Sequence, residues 1–374
     1  MLVREVVEWL NRLAPPELAE DWDNVGLLVG DPTAPVSKVL VTLDITEAVL
    51  AEAVEHRCEL VLAHHPLIFR PLRRVRADDP TGRLVRFAVR HDLHVLVAHT
   101  NLDRAPLGTS EALAQRLNLQ EVRVLSPATQ AGDYKLVVFV PPEAVDQVLQ
   151  AMSEAGAGRI GAYSHCTFRT PGTGTYRPLP GAQPYAGTVG QLEQAEEYRL
   201  ETVVPRLALG RVVAAMKEAH PYEEVAYDVY RLENCATPVG TGRLGRLVKP
   251  QPLEDFAAEV KERLKATSCR LVGDPQRPIR TVAVVGGSGA SFLDAAERAK
   301  ADVLVTGDVR HHDAWHARAL GLAVIDPGHY ATERPMVSFL AARLREDCPP
   351  LDEVRETEYI TEPLTAVPSA GAGG

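Results

Sequence analysis

Residues 61–69 read Val61-Leu62-Ala63-His64-His65-Pro66-Leu67-Ile68-Phe69. The apolar residues before the histidine pair predict a short buried strand over 60–63, and Pro66 predicts that a loop follows. Two imidazoles therefore emerge where a strand ends. In open α/β sheets ligands bind at the carboxyl ends of the strands, so this stretch predicts both an α/β fold and a binding site.

Two further predicted strand ends carry the same kinds of side chain. They are Val95-Leu96-Val97-Ala98-His99-Thr100-Asn101-Leu102-Asp103 and Val324-Ile325-Asp326-Pro327-Gly328-His329-Tyr330-Ala331-Thr332-Glu333. A lone histidine at a strand end is more often a hydrogen-bonded structural residue than a ligand. Several imidazoles and carboxylates at equivalent ends form a set that suits Zn, Mn, Fe, Co or Ni, which favours a metal site.

Length and charge limit the classes of protein. The chain has 374 residues, 45% hydrophobic and 24% charged, so a globular protein of two or three domains is expected. The formal net charge of -10 argues against non-specific nucleic-acid binding through a basic face, so nucleic acid is not an expected partner.

The compartment is predicted from the terminus, the apolar runs and the cysteines. Acidic residues within 1–10 predict an amphipathic helix and not a signal peptide. No apolar run reaches the roughly 18 residues of a membrane helix. The five cysteines are scattered and lack CxxC spacing, which favours a reducing compartment and no disulfide framework. We therefore expect a cytoplasmic protein without a membrane partner.

Both ends of the chain alternate strands with helices, which is typical of a layered, largely parallel α/β sheet. The predicted strands are 38–44, 59–63 and 94–98 in the first third, and 281–285, 301–305 and 323–325 in the last. The predicted helices are 46–57, 81–91 and 110–117, then one ending at 299, one at 312–320 and a final one capped by Thr332. Pro335 would lie in the first turn of that final helix, where proline is tolerated.

The middle of the chain has a different pattern. Its predicted elements are a strand at 134–140, a helix ending at 153, a turn-rich stretch at 156–190, a strand at 198–204, a helix at 210–219 and a strand at 225–231. This order is typical of a ferredoxin-like domain. We expect 129–235 to be inserted between the halves 1–128 and 236–362 of one metal-binding α/β domain, with a disordered tail at 363–374.

Gly286-Gly287-Ser288-Gly289 follows a predicted strand and precedes a predicted helix. Backbone amides in such a position could cradle a phosphate. The third glycine of a dinucleotide fingerprint is missing, however, and no Walker lysine follows. A tight turn is favoured, and an anion site is the alternative.

Five groups of residues occur in an order that resembles a known family. They are Asp21-Trp22-Asp23-Asn24-Val25-Gly26-Leu27, His64-His65-Pro66-Leu67, His99-Thr100-Asn101-Leu102-Asp103, Thr306-Gly307-Asp308 with His311-His312, and Gly328-His329-Tyr330-Ala331-Thr332-Glu333. As a set they resemble the GTP cyclohydrolase I type 2 homologue family, also called NIF-three-like. The segment around His220-Pro221-Tyr222-Glu223-Glu224 resembles the PII- and CutA-like inserted domain of the long bacterial members.

The resemblance implies two divalent metal ions per subunit and a toroidal homohexamer. The implied metal ligands are His64, His65, Asp103, His329 and Glu333. The family's reaction would be hydrolytic opening of the GTP imidazole ring with loss of formate, and a metal-bridged hydroxide is a reasonable nucleophile. The same set would serve a phosphoester or amide hydrolase equally well. With a cap at Thr332, His329 would lie on the loop before the helix.

Several neighbouring residues have more than one interpretation. His99 is a candidate ligand, a candidate proton carrier, or an imidazole that orients a ligand. His311 and His312 would either form a polar helix start, or bind a substrate phosphate and shuttle protons. Asp23 or Asn24 would hold the metal-binding loops by hydrogen bonds.

Three functions fit this sequence. The first is a metal-dependent hydrolase acting on a nucleotide or another small phosphorylated ligand. The second is a non-catalytic protein that stores, delivers or inserts metal ions. The third is a scaffold in which metals stabilise the fold, but structural zinc sites are normally closed and rich in cysteine, and this ligand set has none. The sequence does not separate the first two, so whether the protein is an enzyme stays open.

Overall fold

The computed structural model describes residues 1–128, 133–232 and 239–365. Contacts divide the chain into two units, Met1–Ala128 with Val239–Gly374 and Thr129–Pro238. Cys235, the predicted boundary at 235/236 and the predicted tail from 366 onward lie outside the described residues. Within the described ranges the cysteines are free thiols, and no helix is long and apolar enough to cross a membrane.

Strands and helices alternate along most of the chain. The strands are β1 (Gly26–Val29), β2 (Lys38–Thr42), β3 (Leu60–Ala63), β4 (His94–Val97), β5 (Gln120–Pro127), β6 (Asp133–Val140), β7 (Thr167–Tyr176), β8 (Glu193–Pro205), β9 (Tyr227–Arg231), β10 (Gly240–Pro252), β11 (Arg270–Val272), β12 (Pro278–Ser288), β13 (Val303–Gly307), β14 (Ala323–Asp326) and β15 (Glu353–Glu356). The helices are α1 (Val3–Leu13), α2 (Glu47–Glu55), α3 (Pro80–Arg90), α4 (Thr100–Arg104), α5 (Thr109–Arg116), α6 (Val145–Glu154), α7 (Leu209–Ala219), α8 (Leu253–Arg263), α9 (Leu293–Arg298), α10 (His311–Ala319) and α11 (His329–Asp347).

The first unit contains a five-stranded sheet in the order β1-β4-β3-β2-β15. Its strands run parallel except for β1, which lies antiparallel to β4 at one edge. Every residue of β3 and β4 is buried, as expected for parallel strands covered on both faces. Leu50 of α2 and Val85 of α3 share a hydrophobic core with these strands. The carboxyl ends of β2, β3 and β4 meet at one edge of this sheet.

The same unit contains a six-stranded sheet in the order β11-β14-β13-β12-β10-β5. Its central strands β12, β13 and β14 are parallel, and β11, β10 and β5 are antiparallel to their neighbours. Phe256 of α8 is fully buried in a core with Val282, Val303 and Ile325. Helix α11 packs against α5 and β12, so the first turns of α11 lie close to the end of β12.

The two flanking segments are interleaved within this first unit. Ser126 of β5 pairs with Thr241 of β10, and Val354 of β15 pairs in parallel with Val39 of β2. Each pairing joins a residue that precedes the second unit in the sequence to a residue that follows it. Side chains that are far apart in sequence can therefore meet at the edges of the two sheets.

The second unit has the predicted β-α-β-β-α-β order, in a four-stranded antiparallel sheet β7-β8-β6-β9. Helices α6 and α7 cover it with an apolar core that includes Val148 and Val212. The prediction of a turn-rich stretch at 156–190 is wrong in part, because Thr167–Tyr176 forms a long strand. Pro171 and nearby glycines suggested breaks, but proline is tolerated on an edge strand such as β7.

The start of the last helix also differs from the prediction. Helix α11 begins at His329, after Gly328 with φ 100°, and not after a cap at Thr332. The Thr332 hydroxyl donates to the His329 carbonyl at 2.7 Å and accepts from the Gly287 amide at 2.9 Å. Pro335 therefore lies inside the helix and not in its first turn. Its missing N–H leaves the carbonyl of Ala331 without the usual helical bond.

Candidate metal centre

Four of the predicted site residues come from the carboxyl ends of β3 and β4. His64 and His65 follow β3 directly, and His99 follows β4 as the residue before α4. Asp103 lies on α4. His64 is fully buried, and its Nε2 atom lies 3.7 Å from Oδ1 of Asp103.

The other two predicted ligands come from α11, after β14 of the second sheet. Because α11 begins at His329, His329 and Glu333 are four residues apart on one helix and face the same way. His329 Nε2 lies 3.0 Å from Glu333 Oε2. The prediction that helical spacing does not relate these two residues is therefore wrong.

The two sets meet around the Glu333 carboxylate. Its Oε1 lies 3.8 Å from His64 Nε2, and its Oε2 lies 3.2 Å from His65 Nε2. Two groups could hold a metal ion, since the ligand atoms within each lie within 4.8 Å of one another. They are His64 with His65 and His99, and His65 with His329 and Glu333. Because the groups share His65, they are adjacent.

Three buried polar atoms in this cluster have no hydrogen-bond partner among the described residues while the histidine rings are neutral, because Nε2 then has no proton to donate. They are Nε2 of His64, Oδ1 of Asp103 and Oε2 of Glu333. Buried polar atoms are nearly always satisfied, so the presence of three such atoms in one cluster needs an explanation. A nitrogen lone pair and two carboxylate oxygens form the donor set of a transition-metal or zinc ion. The residues present therefore fit a metal.

The opposite ring nitrogen of each histidine is already bonded. The Nδ1 atom of His64 lies 2.8 Å from the Ala98 carbonyl oxygen. The Nδ1 atoms of the other three histidines lie near carboxylates: His65 is 2.7 Å from Asp44, His99 is 2.9 Å from Asp23, and His329 is 2.7 Å from Asp308. Because a carbonyl or a carboxylate oxygen only accepts, Nδ1 donates and the lone pair of a neutral ring is on Nε2. Such bonds fix the tautomer and orientation of metal-binding imidazoles.

The carboxylate of Asp23 explains the predicted structural motif near the start of the chain. Besides His99, it accepts from the Thr100 amide at 3.0 Å and from the Thr100 hydroxyl. Burial alone would raise the pKa of Asp23, but these bonds hold it well below the usual range. The Asn24 side chain donates to the Ile68 carbonyl at 2.6 Å, so both residues hold loops that carry the cluster.

The electrostatics of the cluster are dominated by imidazoles around one carboxylate. Burial alone would raise the pKa of Glu333, but the surrounding imidazoles hold it well below its usual range. Burial opposes protonation of His65, yet Asp44 and Glu333 raise its pKa to about 10. Glu333 also raises the pKa of His329 to about 9. A bound cation would replace these protons, because ligand imidazoles are neutral.

The prediction of a tight turn after the strand is wrong in part, because Gly286, Gly287 and Ser288 form the end of β12. Gly287 has φ +65°, and a Cβ atom there would lie 2.2 Å from Glu333 Oε1 and 3.2 Å from His329 Cε1. The Gly286 amide donates to the Ser110 hydroxyl at 3.4 Å, and the Gly287 amide donates to Thr332. The amides of Gly286 and Gly287 are therefore engaged, and the bare backbone at Gly287 leaves room for Glu333.

A cavity of about 330 Å³ opens onto the cluster. His65, His99, Asp103, His329 and Glu333 reach it. Its other walls include Trp22, Arg104, Ser110, Thr241, Ser288 and Phe292. A volume of this size suits a small-molecule ligand.

His311 and His312 are not among the described residues that line this cavity. Both lie exposed at the start of α10, where His311 Nε2 accepts from the indole N–H of Trp315 at 3.1 Å. This arrangement matches the polar helix start and gives no support to a substrate-binding role. Sequence reasoning assigned no role to Asp44, and it named Asp308 only as part of a family motif. Each follows a strand that ends at the same edge as a predicted ligand.

The fold and the site define an α/β protein with a histidine and carboxylate cluster that could hold a metal ion. The chain belongs to the Duf34/NIF3 (NGG1p interacting factor 3) family, whose model matches residues 1–363. The family predicted from the sequence motifs is therefore confirmed.

Relatives and solved structures agree with this assignment. Proteins named GTP cyclohydrolase 1 type 2 homolog are 44% identical over 345 residues in Bacillus subtilis, covering 92% of each chain, and 42% identical over 363 residues in Mycobacterium tuberculosis, covering 96% of this chain and 95% of that one. A Bacillus cereus protein related to NIF3 superposes with a TM-score of 0.83 and 39% identity, covering 98% of this chain and 99% of that chain. Staphylococcus aureus protein SA1388 gives 0.78 and 30%, with the same coverage.

Proposed function

We propose that the first unit holds two divalent metal ions and hydrolyses a nucleotide such as GTP. The proposed ligands are His64, His65, Asp103, His329 and Glu333. The name of the relatives, GTP cyclohydrolase 1 type 2 homolog, supports the choice of nucleotide. The site residues themselves support a metal-dependent hydrolase without specifying its substrate.

The observation that carries this proposal is the group of three buried atoms without partners, on His64, Asp103 and Glu333. Leaving such atoms unsatisfied costs about 1–3 kcal/mol each, and more for charged groups. Divalent ions held by this cluster would satisfy such atoms as ligands. The adjacent cavity of about 330 Å³ would place a small molecule beside those ions.

Two divalent ions held there would act as Lewis acids and lower the pKa of water toward neutrality. The chain's own residues would do the rest. Glu333 has two oxygens that face different imidazoles, so it is suited to bridging. His99 holds its Nδ1 proton toward the ionised Asp23, which leaves its other nitrogen free to act as a ligand or to accept a proton.

The proposal has three finer features. Two of these, the toroidal homohexamer and the PII- or CutA-like nature of 129–235, rest on family resemblance. The third, the choice of metal among Zn, Mn, Fe, Co and Ni, rests instead on the ligand chemistry. The four-stranded antiparallel sheet of the second unit is compatible with such an insert.

The test is formate release from GTP by metal-reconstituted protein beside its Asp103→Ala variant. Asp294→Ala is a matched control, because Asp294 is an exposed carboxylate that contacts His316 outside the cluster. Formate from the wild type and the control only would support the proposal. Formate release by Asp103→Ala as well would show that the reaction does not take place at this site. No formate from any protein would exclude GTP ring opening, and a metal-handling protein would then be favoured.

A further inference from the structure

Trp22 is a large aromatic residue that is exposed beside the metal cluster. It is 58% exposed and lines the cavity that opens onto the cluster. Its ring lies 5.7 Å from that of Phe69 and 6.2 Å from that of His99, which it meets edge-on. An exposed indole at the wall of a polar cavity is a candidate contact for a ligand.

The backbone that carries Trp22 is held firmly at both ends. The Asp23 amide donates to the Glu20 carbonyl at 2.9 Å, which closes a tight turn around Trp22. The Glu20 amide donates to the Thr100 hydroxyl at 3.0 Å, and the Asp23 carboxylate bonds to His99. The turn is thus tied to the loop that supplies part of the cluster. The backbone beneath the indole is therefore fixed, and the indole contacts Phe69 and His99 while its surface stays open. A fixed backbone reduces the ordering cost of binding.

We propose that Trp22 is a specificity residue whose indole stacks on the planar heterocyclic base of a nucleotide. This inference rests on the proposed function, because the base would have to lie in the cavity beside the metal ligands. An indole offers a flat π-face, and every nucleobase has one to match it. Ser110, Thr241 and Ser288 supply hydroxyl groups on other walls for the polar edge of a base.

Trp315 provides an internal comparison. It is also 58% exposed, but it is not among the described residues that line the cavity. Its indole N–H donates to His311, and the Arg318 guanidinium lies 5.4 Å from its ring centroid. The exposed indole of Trp315 thus already has partners within its own helix. Trp315→Leu therefore controls for the general effect of removing an exposed tryptophan.

The experiment is calorimetric titration of GTP and of tripolyphosphate, which lacks the base, into Trp22→Leu, Trp22→Phe, Trp315→Leu and the wild type. Each protein is titrated both without metal and after metal reconstitution. The circular dichroism of every preparation, and the metal content of the reconstituted ones, are first shown to match those of the wild type. We expect Trp22→Leu to weaken GTP binding roughly ten-fold and to leave tripolyphosphate binding unchanged. Trp22→Phe should retain most of the affinity, and Trp315→Leu should match the wild type.

The outcomes separate this inference from the proposed reaction. GTP binding that depends on Trp22, without formate release, would support stacking and remove the reaction. Formate release with the same KM in Trp22→Leu and the wild type would keep the reaction and overturn stacking. Equal loss of GTP and tripolyphosphate affinity in Trp22→Leu, or no GTP binding by the wild type, would also overturn it. A higher KM with little change in kcat would support it, because the stacking contact would be present before the reaction.

Discussion

Two buried histidines of this protein have opposite environments. His64 in the first unit is fully buried, donates from Nδ1 to a carbonyl and has no partner at Nε2. His220 in the second unit is 7% exposed, and both of its nitrogens are bonded to backbone. Its Nε2 donates to the Phe139 carbonyl at 3.0 Å, and its Nδ1 accepts from the Tyr222 amide at 3.1 Å.

The comparison shows how a candidate ligand differs from a structural imidazole. Burial lowers the pKa of His220, and its two bonds require a neutral ring. Burial also disfavours protonated His64, but the carboxylates of Asp103 and Glu333 raise its pKa above the ordinary value. One ring completes its hydrogen bonds within the fold, whereas the other points a free nitrogen toward acids. The sequence alone does not distinguish them, because both lie in histidine-proline stretches.

The largest expected effect is loss of metal on removal of a ligand. Asp103→Ala and His329→Ala should each weaken metal binding more than about 100-fold while the fold persists. Loss of a residue that only orients a ligand costs about 10- to 100-fold. Metal content after dialysis, measured by mass spectrometry beside circular dichroism, checks this. His220→Ala is the control and should keep its metal. Full retention of metal in both ligand variants would make the assignment wrong.

Gly287→Ala should have the next largest effect, because its Cβ atom would lie 2.2 Å from Glu333 Oε1. Gly321→Ala is a matched control, since Gly321 has φ +68° beside +65° at Gly287 and has open space around its Cβ position. Both variants should lose about 1 kcal/mol of stability from left-handed backbone. Only Gly287→Ala should also lose metal affinity in a chelator competition. Equal metal affinities in the two variants would show that Glu333 does not need this space.

Asp44→Ala tests whether metal binding depends on the hydrogen-bonded Nδ1 of His65 as well as on its Nε2. Without the Asp44 carboxylate at 2.7 Å, His65 loses the bond that fixes its tautomer and orientation. Metal affinity should fall about 10- to 100-fold. Asp294→Ala removes a similar contact from His316, at 3.2 Å but outside the cluster, and should leave the affinity unchanged. An unchanged affinity in Asp44→Ala would mean that the fold alone orients His65.

The sequence predicted well where the strands that carry the candidate ligands end, for a local reason. Short apolar runs followed by His64, His65 and His99 show where strands stop, and parallel strands bring those ends together. The start of α11 was predicted wrongly, since Thr332 and Pro335 resemble a helix start. That error hid the simple i,i+4 relation between His329 and Glu333.

The remaining features depend on pairings between distant residues. Val354 joins Val39 across most of the chain, and the space at Gly287 matters only because Glu333 lies opposite. No periodic pattern encodes such contacts. Asp44 was accessible in principle, because it follows a strand next to the one that ends at His64. The pairing of Asp308 with His329 required knowledge of how β13 and β14 lie together.

The smallest expected effect concerns pH and the second unit. Because burial lowers the pKa of His220, the unfolded chain binds its proton more readily than the folded one. The stability that neutral His220 provides is therefore fully present above its ordinary pKa of 6.5. It is lost progressively as pH falls below that value toward the lower pKa of the folded state. His220→Gln should cost about 1 kcal/mol near neutral pH through the altered bond to Phe139, and should reduce this pH dependence. Hydrogen exchange of peptides from β6 and α7, corrected for intrinsic rates, measures the effect within this unit. Identical pH dependence of protection in both proteins would show that His220 contributes no pH-sensitive stability, and its contrast with His64 would then rest on hydrogen bonding alone.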